Sequence, residues 1–178
     1  LGTIGKVSAA IVGVYLLTNI GFAWWWDDEP DTFAVRENAA SHAQSLNRQL
    51  VTGYITTATL IRLAQTLLDK RGGYVTNDLM PPGVWLDNLP NWEFGVLTQI
   101  RDTARAFRID FSRSQSQSTE DPDLAEAEGK FFFDNSSWVF PQTEDEYDDG
   151  IRLLEDYLTR LADPAEPNAQ FYARAANL

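Results

Sequence analysis

The side chains best suited to chemistry lie in and beside one proline-rich stretch, residues 74–91. They carry oxygen donors, namely Asn77, Asp78, Asp87, Asn88, Asn91 and Glu93. Oxygen donors of this kind bind hard cations such as Ca²⁺, and paired carboxylates can act as general acid and base in hydrolysis. The same residue types also build turns and cap helices, and their spacing is not that of an EF-hand loop. We therefore expect these residues to form turns and caps and not a calcium site. A hydrolase that uses carboxylates of residues 74–93 is the alternative function.

Other signs of catalysis are absent from the sequence. The single histidine, His42, follows Ser41 in a helical pattern, where adjacent side chains diverge by about 100° and do not form a nucleophile–base pair. The chain contains no cysteine and none of the G-x-S-x-G, H-E-x-x-H, Walker or G-x-G-x-x-G motifs. We therefore predict no cofactor and no resident metal, and the sequence favours a protein that is not an enzyme.

Two charge patterns bear on the partners of the protein. The formal net charge of −12 argues against nucleic acid, because phosphate binding needs a dense basic face. Three arginines, Arg101, Arg105 and Arg108, recur at helical spacing and form a candidate stripe for an anionic headgroup. An acidic partner inside the protein, within residues 144–149, is the alternative that we favour.

The stretch of residues 74–91 is too apolar to stay solvated, so we expect it to be ordered despite its length. Its prolines lower the entropy cost of holding one conformation. Trp85 is the kind of amphipathic anchor found at binding hot spots, and Tyr74 and Trp92 are further candidates for docking. The alternative is that Trp85 and Trp92 only fold the stretch back onto the core.

The elements that must position these residues begin with a membrane-length segment. Residues 7–26 contain no charge, and as a helix they would span the hydrocarbon core of about 30 Å. The segment closes with Trp24, Trp25 and Trp26, which suit the headgroup level, and Gly5, Ala9 and Gly13 would let a second helix approach closely. A cleavable signal peptide with a small-residue site at Gly21 and Ala23 is the alternative.

Charges on the two sides of this segment predict its orientation. Lys6 precedes it and acidic residues 27–29 follow it, so the positive-inside tendency places the N-terminus in the cytoplasm and the rest in the periplasm of a bacterium. We divide the chain into a membrane anchor with its juxtamembrane linker, residues 1–32, and a helical domain, residues 33–178. We expect the natural chain to continue past Leu178.

Apolar spacing predicts that the domain is mainly α-helical. Residues 33–71 read as one long amphipathic helix that packs closely against another helix and ends at Gly72-Gly73. A second helix is predicted from Trp92 to about Phe111, with Asn91 as its cap.

The second half of the domain shows three further helix starts. Asp121 and Pro122 predict the first, and a capping box of Thr143 and Glu146 predicts a helix that ends at Asp163-Pro164. A last helix is predicted near Pro167. Between the first two, the apolar run of residues 130–141 forms either a short strand pair around residues 134–137 or a plug in the core.

Three stretches, residues 53–97, 112–128 and 160–178, resemble a bacterial inner-membrane family known as domain of unknown function 2333. The resemblance covers most of the chain, including the anchor. It implies a proteobacterial-type envelope protein with a short cytoplasmic start, one membrane helix and a periplasmic region that continues past Leu178. It implies no activity, cofactor or catalytic residue.

These observations predict a membrane-anchored interaction or scaffold module that is not an enzyme. Its expected partners are the lipid bilayer and other proteins of the bacterial envelope, and it would serve as an accessory subunit of a larger membrane complex. The competing class is an envelope hydrolase acting on cell-wall or lipid material. A deep cleft joining two loop carboxylates with shifted pKa values would favour the enzyme, and a flat aromatic face would favour docking.

Overall fold

The computed structural model describes residues 2–113 and 119–172 of the chain. Within these ranges the fold is helical and contains no strand. The six α-helices are α1 (Thr3–Trp26), α2 (Val35–Ser45), α3 (Tyr54–Asp69), α4 (Asn88–Ala106), α5 (Pro122–Phe131) and α6 (Thr143–Leu161). A 3-10 turn, Gly83–Trp85, lies between α3 and α4, and a π-helical turn, Phe107–Phe111, continues α4.

Helix α1 carries the apolar N-terminal segment. In the described part of the chain it is the one helix that is long and apolar enough to cross a membrane, with a mean hydropathy of 1.6. The side-chain amide of Asn19 in this helix donates a hydrogen bond to the backbone oxygen of Tyr15 at 2.8 Å. By length and composition α1 fits either a membrane span or a signal sequence. The face of Gly5, Ala9 and Gly13 is left uncovered by the rest of the described chain.

The prediction of one long helix over residues 33–71 is wrong, because the chain breaks into α2 and α3. The break contains Asn47 at φ 51° and Gly53 at φ 86°, both in the left-handed region. A side chain at Gly53 would collide with Phe171, since its Cβ would lie 2.2 Å from the Phe171 ring. The apolar spacing continues across the break because both helices bury small residues: α2 contributes Ala39 and Ala43, and α3 contributes Ala58 and Ala64.

The core of the domain lies where α3 meets α2, α4 and α6, and where α5 packs against α4 and α6. Its largest buried side chains are Tyr54, Phe107, Phe131, Tyr147 and Tyr157. The predicted stripe of α6 is confirmed, since Tyr147, Ile151, Leu154 and Leu158 are buried. Full burial of such side chains is the main favourable term that holds these helices together.

Two helix starts differ from those predicted. Helix α4 begins at Asn88, so Asn91 lies inside its first turn and donates to the backbone oxygen of Asp87 at 2.7 Å instead of capping the helix. The predicted capping box of α6 does not form. Gln142 occupies the cap position and Thr143 is the first helical residue, so its hydroxyl is not placed at the cap and donates to the backbone oxygen of Asp134 at 2.8 Å instead.

Other details of the second half are settled by local contacts. The start of α5 is confirmed, because Asp121 accepts from the backbone N–H groups of Asp123 and Leu124 and Pro122 follows it. Helix α6 ends at Leu161, before the predicted Asp163-Pro164. No helix forms between Pro167 and Tyr172, and the rest of the predicted last helix lies outside the described residues.

Residues 131–141 form no strand pair but divide between core and surface. Phe131 fills the core, whereas Trp138, Val139 and Phe140 stand exposed. The polar residues between them build a turn, in which Asp134 accepts from the backbone N–H of Ser136 at 2.9 Å. A turn satisfies these backbone groups locally, which removes the need for a paired strand.

Candidate functional site

The stretch of residues 74–91 is ordered by a buried ion pair. Lys70, just after α3, pairs with Glu93 of α4, and both side chains are almost completely buried. Glu93 also accepts hydrogen bonds from the backbone N–H groups of Val75 at 2.9 Å and Thr76 at 2.8 Å. Burial lowers the pKa of Lys70, and the neighbouring Glu93 carboxylate opposes that shift by favouring the ammonium. Because its oxygens are occupied in this way, Glu93 fixes the start of the loop and is unsuited to catalysis.

A groove of about 470 Å³ lies where the end of α1, this loop and the start of α6 meet. Its polar members are Asn77, Asp78, Gln142 and Glu144. Its apolar members come from the end of α1, the loop and the turn before α6, namely Trp26, Leu79, Met80, Pro81, Pro82 and Trp138. A groove with apolar walls and a few polar groups is typical of binding sites.

Two carboxylates line this groove, one from the loop and one from α6. Burial raises the pKa of Asp78, and the neighbouring carboxylates of Glu144 and Glu93 raise it further. Asn77 holds Glu144 by donating from its amide at 2.8 Å. The loop carboxylates named from the sequence are therefore not brought together as a pair. Asp78 instead joins Glu144, while Glu93 is buried and Asp87 does not line the groove.

The side chain of Asp78 lies directly against the backbone of Gly83. A Cβ at Gly83 would lie 1.8 Å from Oδ2 of Asp78, so no larger residue fits there without moving the carboxylate. This contact joins the start of the loop to the 3-10 turn. The amide of Asn77 also donates to the backbone oxygen of Ser137 at 2.9 Å, which ties the loop to the turn before α6.

The three docking candidates separate into core and surface. Tyr74 is buried, stacks edge-on against Tyr147 at 5.8 Å between ring centroids, and donates from its hydroxyl to the backbone oxygen of Asn135. Burial raises the pKa of Tyr74. Trp92 is partly buried and packs against the core. Trp85 remains at the surface with 48% of its area exposed.

The three arginines of the candidate stripe all bind groups within the protein. Arg101 donates to the backbone oxygens of Phe131 at 2.7 Å and Phe133 at 2.8 Å. Arg105 pairs with Glu128, and Arg108 pairs with both Glu128 and Glu120. The prediction of an internal acidic partner is confirmed for Arg105 and Arg108, but its place in residues 144–149 is wrong. In that segment Glu146 and Asp149 pair with Lys130 instead, which lies closer to them at the end of α5.

The end of α1 packs onto the turn that follows α3, a contact that sequence reasoning missed. Trp26 lies over Gly72, and Arg71 pairs with Asp28 at 3.0 Å. The Arg71 guanidinium also lies 6.0 Å from the ring of Trp25, within cation–π range. The tryptophan cluster and the Gly72-Gly73 pair were both visible in the sequence. Each had a local explanation, as an interface belt and a helix cap, so neither pointed to the other.

Comparison with known proteins identifies a family. The model of a family described as an uncharacterised protein conserved in bacteria (DUF2333) matches residues 2–178. No curated protein and no solved structure matches the chain.

Proposed function

We propose, from the premise that this chain belongs to the DUF2333 family of proteins conserved in bacteria, that it is a membrane-anchored docking module of the bacterial envelope and not an enzyme. In this proposal α1 crosses the inner membrane, with Lys6 on the cytoplasmic side and the helical domain in the periplasm. The domain then presents a fixed surface to another protein of the envelope, as an accessory subunit of a larger membrane complex.

The observation that carries this proposal is the placement of Trp85. It stands half exposed on the 3-10 turn next to the exposed Val84, while Trp92 packs against the core. If the loop served only to fill the core, Trp85 would pack against it as Trp92 does. A large aromatic side chain kept at the surface of an ordered loop is typical of a binding hot spot.

The loop that carries Trp85 is fixed before any partner arrives. Glu93 binds the backbone at Val75 and Thr76, and Asp78 lies against Gly83. A surface that is already ordered loses little conformational entropy on binding, which favours affinity. The same contacts explain why the loop needs no regular secondary structure over most of its length.

The test is a Trp85→Ala variant of the full chain, extracted from native membranes in mild detergent. We expect one defined protein to copurify with the parent chain and not with Trp85→Ala, at an unchanged melting temperature. Leu50→Ala is the matched control, because Leu50 is exposed to the same degree, 49%, on a different loop. The docking proposal is overturned if the copurifying proteins are the same for all three chains.

A separate experiment tests the orientation. A reporter fused after Leu178 is expected to be active as a periplasmic alkaline phosphatase and inactive as a cytoplasmic fluorescent protein. The opposite pattern would place the domain in the cytoplasm. A mature N-terminus at Trp24 would show that residues before it are cleaved as a signal peptide, which removes the anchor from the proposal.

An envelope hydrolase is the second candidate, because Asp78 has a raised pKa and lines the groove beside Glu144. A carboxyl group with a raised pKa holds its proton to a higher pH than an ordinary one, a property that general acids share. Hydrolysis of cell-wall or lipid material by the purified chain that is lost in Asp78→Asn and kept in Asp87→Asn would favour this candidate. Equal and negligible release of products by all three chains would exclude it for those substrates.

A further inference from the structure

Exposed apolar side chains line the groove that contains the end of α1 or directly follow one of its members in the chain. Two loops supply them, and we call the set the apolar rim: Leu79, Met80, Trp138, Val139 and Phe140. Met80 is 69% exposed and Phe140 is 90% exposed, so both leave most of their apolar area in contact with solvent. Exposed apolar side chains that cluster in this way mark a surface that is normally covered.

The position of the apolar rim relative to α1 indicates what covers it. Leu79, Met80 and Trp138 line the same groove as Trp26, the last residue of α1. Trp26 is held there by its contact with Gly72. If α1 crosses a bilayer, its terminal tryptophans lie at the headgroup level, and side chains that share a groove with Trp26 lie at nearly the same depth.

We propose that the apolar rim inserts into the headgroup region of the bilayer that α1 crosses, so that the domain lies against the membrane surface. This inference rests on the membrane span in the proposed function, and it does not depend on the docking of Trp85. The membrane provides a continuous apolar boundary beside Trp26, which covers both loops at once. Tryptophan, methionine and phenylalanine side chains are well suited to that region, because they can bury their apolar area in it while the loop backbone stays in water.

The charges nearby define the kind of lipid. The linker after α1 carries Asp27, Asp28, Glu29 and Asp31, and the groove itself carries Asp78 and Glu144. Arg71 is the basic residue that contacts this end of α1, where it pairs with Asp28. Such an acidic surface repels anionic lipids, so the apolar rim fits a bilayer of zwitterionic headgroups.

The absence of cysteine from the sequence makes a direct test simple. The full chain is reconstituted in phosphatidylcholine nanodiscs at one chain per disc, with a single spin label at Met80→Cys or Phe140→Cys. The measurement compares collisions of the label with oxygen, which concentrates in lipid, and with a nickel chelate, which stays in water. We expect the oxygen-to-nickel collision ratio at both sites to be several-fold higher than at a water-exposed control.

Leu50→Cys supplies that control. Leu50 has a similar apolar side chain and is also exposed, but it lies just before the start of α3, whereas Gly72 lies just after its end. The 16 residues of α3 separate these two ends by about 24 Å. A label at Leu50 is therefore expected to collide mainly with the nickel chelate. Val139→Cys replaces Phe140→Cys if the latter alters the thermal melt of the domain.

A label at Leu16→Cys, in the middle of α1, tests the membrane span of α1 separately from the insertion of the apolar rim. If Leu16 lies in lipid while Met80 and Phe140 behave like Leu50, the membrane span holds and the insertion of the apolar rim is overturned. If Leu16 itself collides mainly with the nickel chelate, the membrane span fails and the insertion falls with it. If Met80 and Phe140 are shielded only in discs that hold two chains, a second copy covers the rim, which also overturns insertion into lipid.

Discussion

The indole ring of Trp26 lies against Gly72 so closely that a Cβ at Gly72 would be 2.6 Å from Cδ2 of the ring. Gly72 and its neighbour Gly73 both adopt left-handed backbone angles, φ 84° and 73°. Only Gly72 touches the end of α1, because the nearest atom to a Cβ at Gly73 is the backbone oxygen of Leu68 at 3.8 Å. Both glycines therefore require a left-handed backbone conformation, and they differ in whether they contact α1.

Gly72→Ala and Gly73→Ala should separate these two effects. Gly73→Ala is expected to lower the free energy of unfolding by about 1 to 2 kcal/mol, the cost of a left-handed alanine. Gly72→Ala is expected to cost more, because the new methyl group displaces Trp26. In a Trp26→Ala background the excess should disappear. Denaturation of the detergent-solubilised chain, followed by circular dichroism, measures the cost of each glycine substitution in the parent chain and in the Trp26→Ala background. An equal cost for both substitutions in the parent chain would contradict the contact between Gly72 and Trp26.

The buried pair of Lys70 and Glu93 should be sensitive to the loss of one partner. Lys70→Met is expected to cost about 3 to 5 kcal/mol, because it leaves the Glu93 carboxylate buried without a counter-charge. Lys70→Met/Glu93→Gln removes both charges, so its cost should be smaller than the sum of the two single variants. Denaturant titrations give the three free energies. Strict additivity would show that the two side chains do not stabilise each other.

Stability should depend on pH through Glu128. Burial opposes its charge, but hydrogen bonds from Arg108 and Arg105 hold the pKa of Glu128 below its ordinary value of 4.5. A carboxylate with a lowered folded-state pKa stabilises the protein above the ordinary value, and that stabilisation is lost as the pH falls through the lower folded-state pKa.

Glu128→Gln is therefore expected to lower the melting temperature at neutral pH, with the difference from the parent chain shrinking as the pH falls below about 4. The loss at neutral pH should be about 1 to 2 kcal/mol, a moderate value because Arg105 is half exposed. Glu126→Gln makes the same chemical change at an exposed position of α5 and serves as the control. A difference that stays constant from neutral to acid pH would refute the assignment.

The buried face of α6 offers a test of the core. Leu154→Ala and Leu158→Ala are each expected to cost about 2 to 5 kcal/mol, because both side chains are fully buried. Leu153→Ala, on the same helix, removes the same atoms from a partly buried side chain and should cost clearly less. Thermal melts of the three variants rank the positions, and an equal shift for Leu153 and Leu154 would argue against this helix face.

The parts of the fold that depend on local spacing were predictable from the sequence. The stripe of α6, the apolar segment of α1 and the Asp121-Pro122 start of α5 are all set by residues within one or two turns of each other. The break between α2 and α3 was not predictable in this way. It depends on Gly53 meeting Phe171, which is distant in sequence, while the apolar spacing continues undisturbed through the break.

The groove was only partly predictable for the same reason. Its members come from α1, from the loop and from the start of α6, and no sequence pattern joins Trp26, Asp78 and Glu144. The order of the loop follows from its composition and proline content, whereas the sequence left open whether Trp85 lies at the surface or in the core. The burial of Tyr74 does not, because it depends on the ring of Tyr147 and the backbone of Asn135.

The contact of Trp26 with Gly72 also limits the reach of the domain. Residues 27–34 connect α1 to α2, and as a free tether of eight residues they would let the domain range over roughly 15 Å. Two contacts restrict this movement at the start of the linker: Trp26 lies against Gly72, and Arg71 pairs with Asp28. The effective concentration of the domain at a nearby site is therefore set by the fixed contact between Trp26 and Gly72 and not by the length of the linker. Inserting residues into positions 29–34 should leave that effective concentration unchanged.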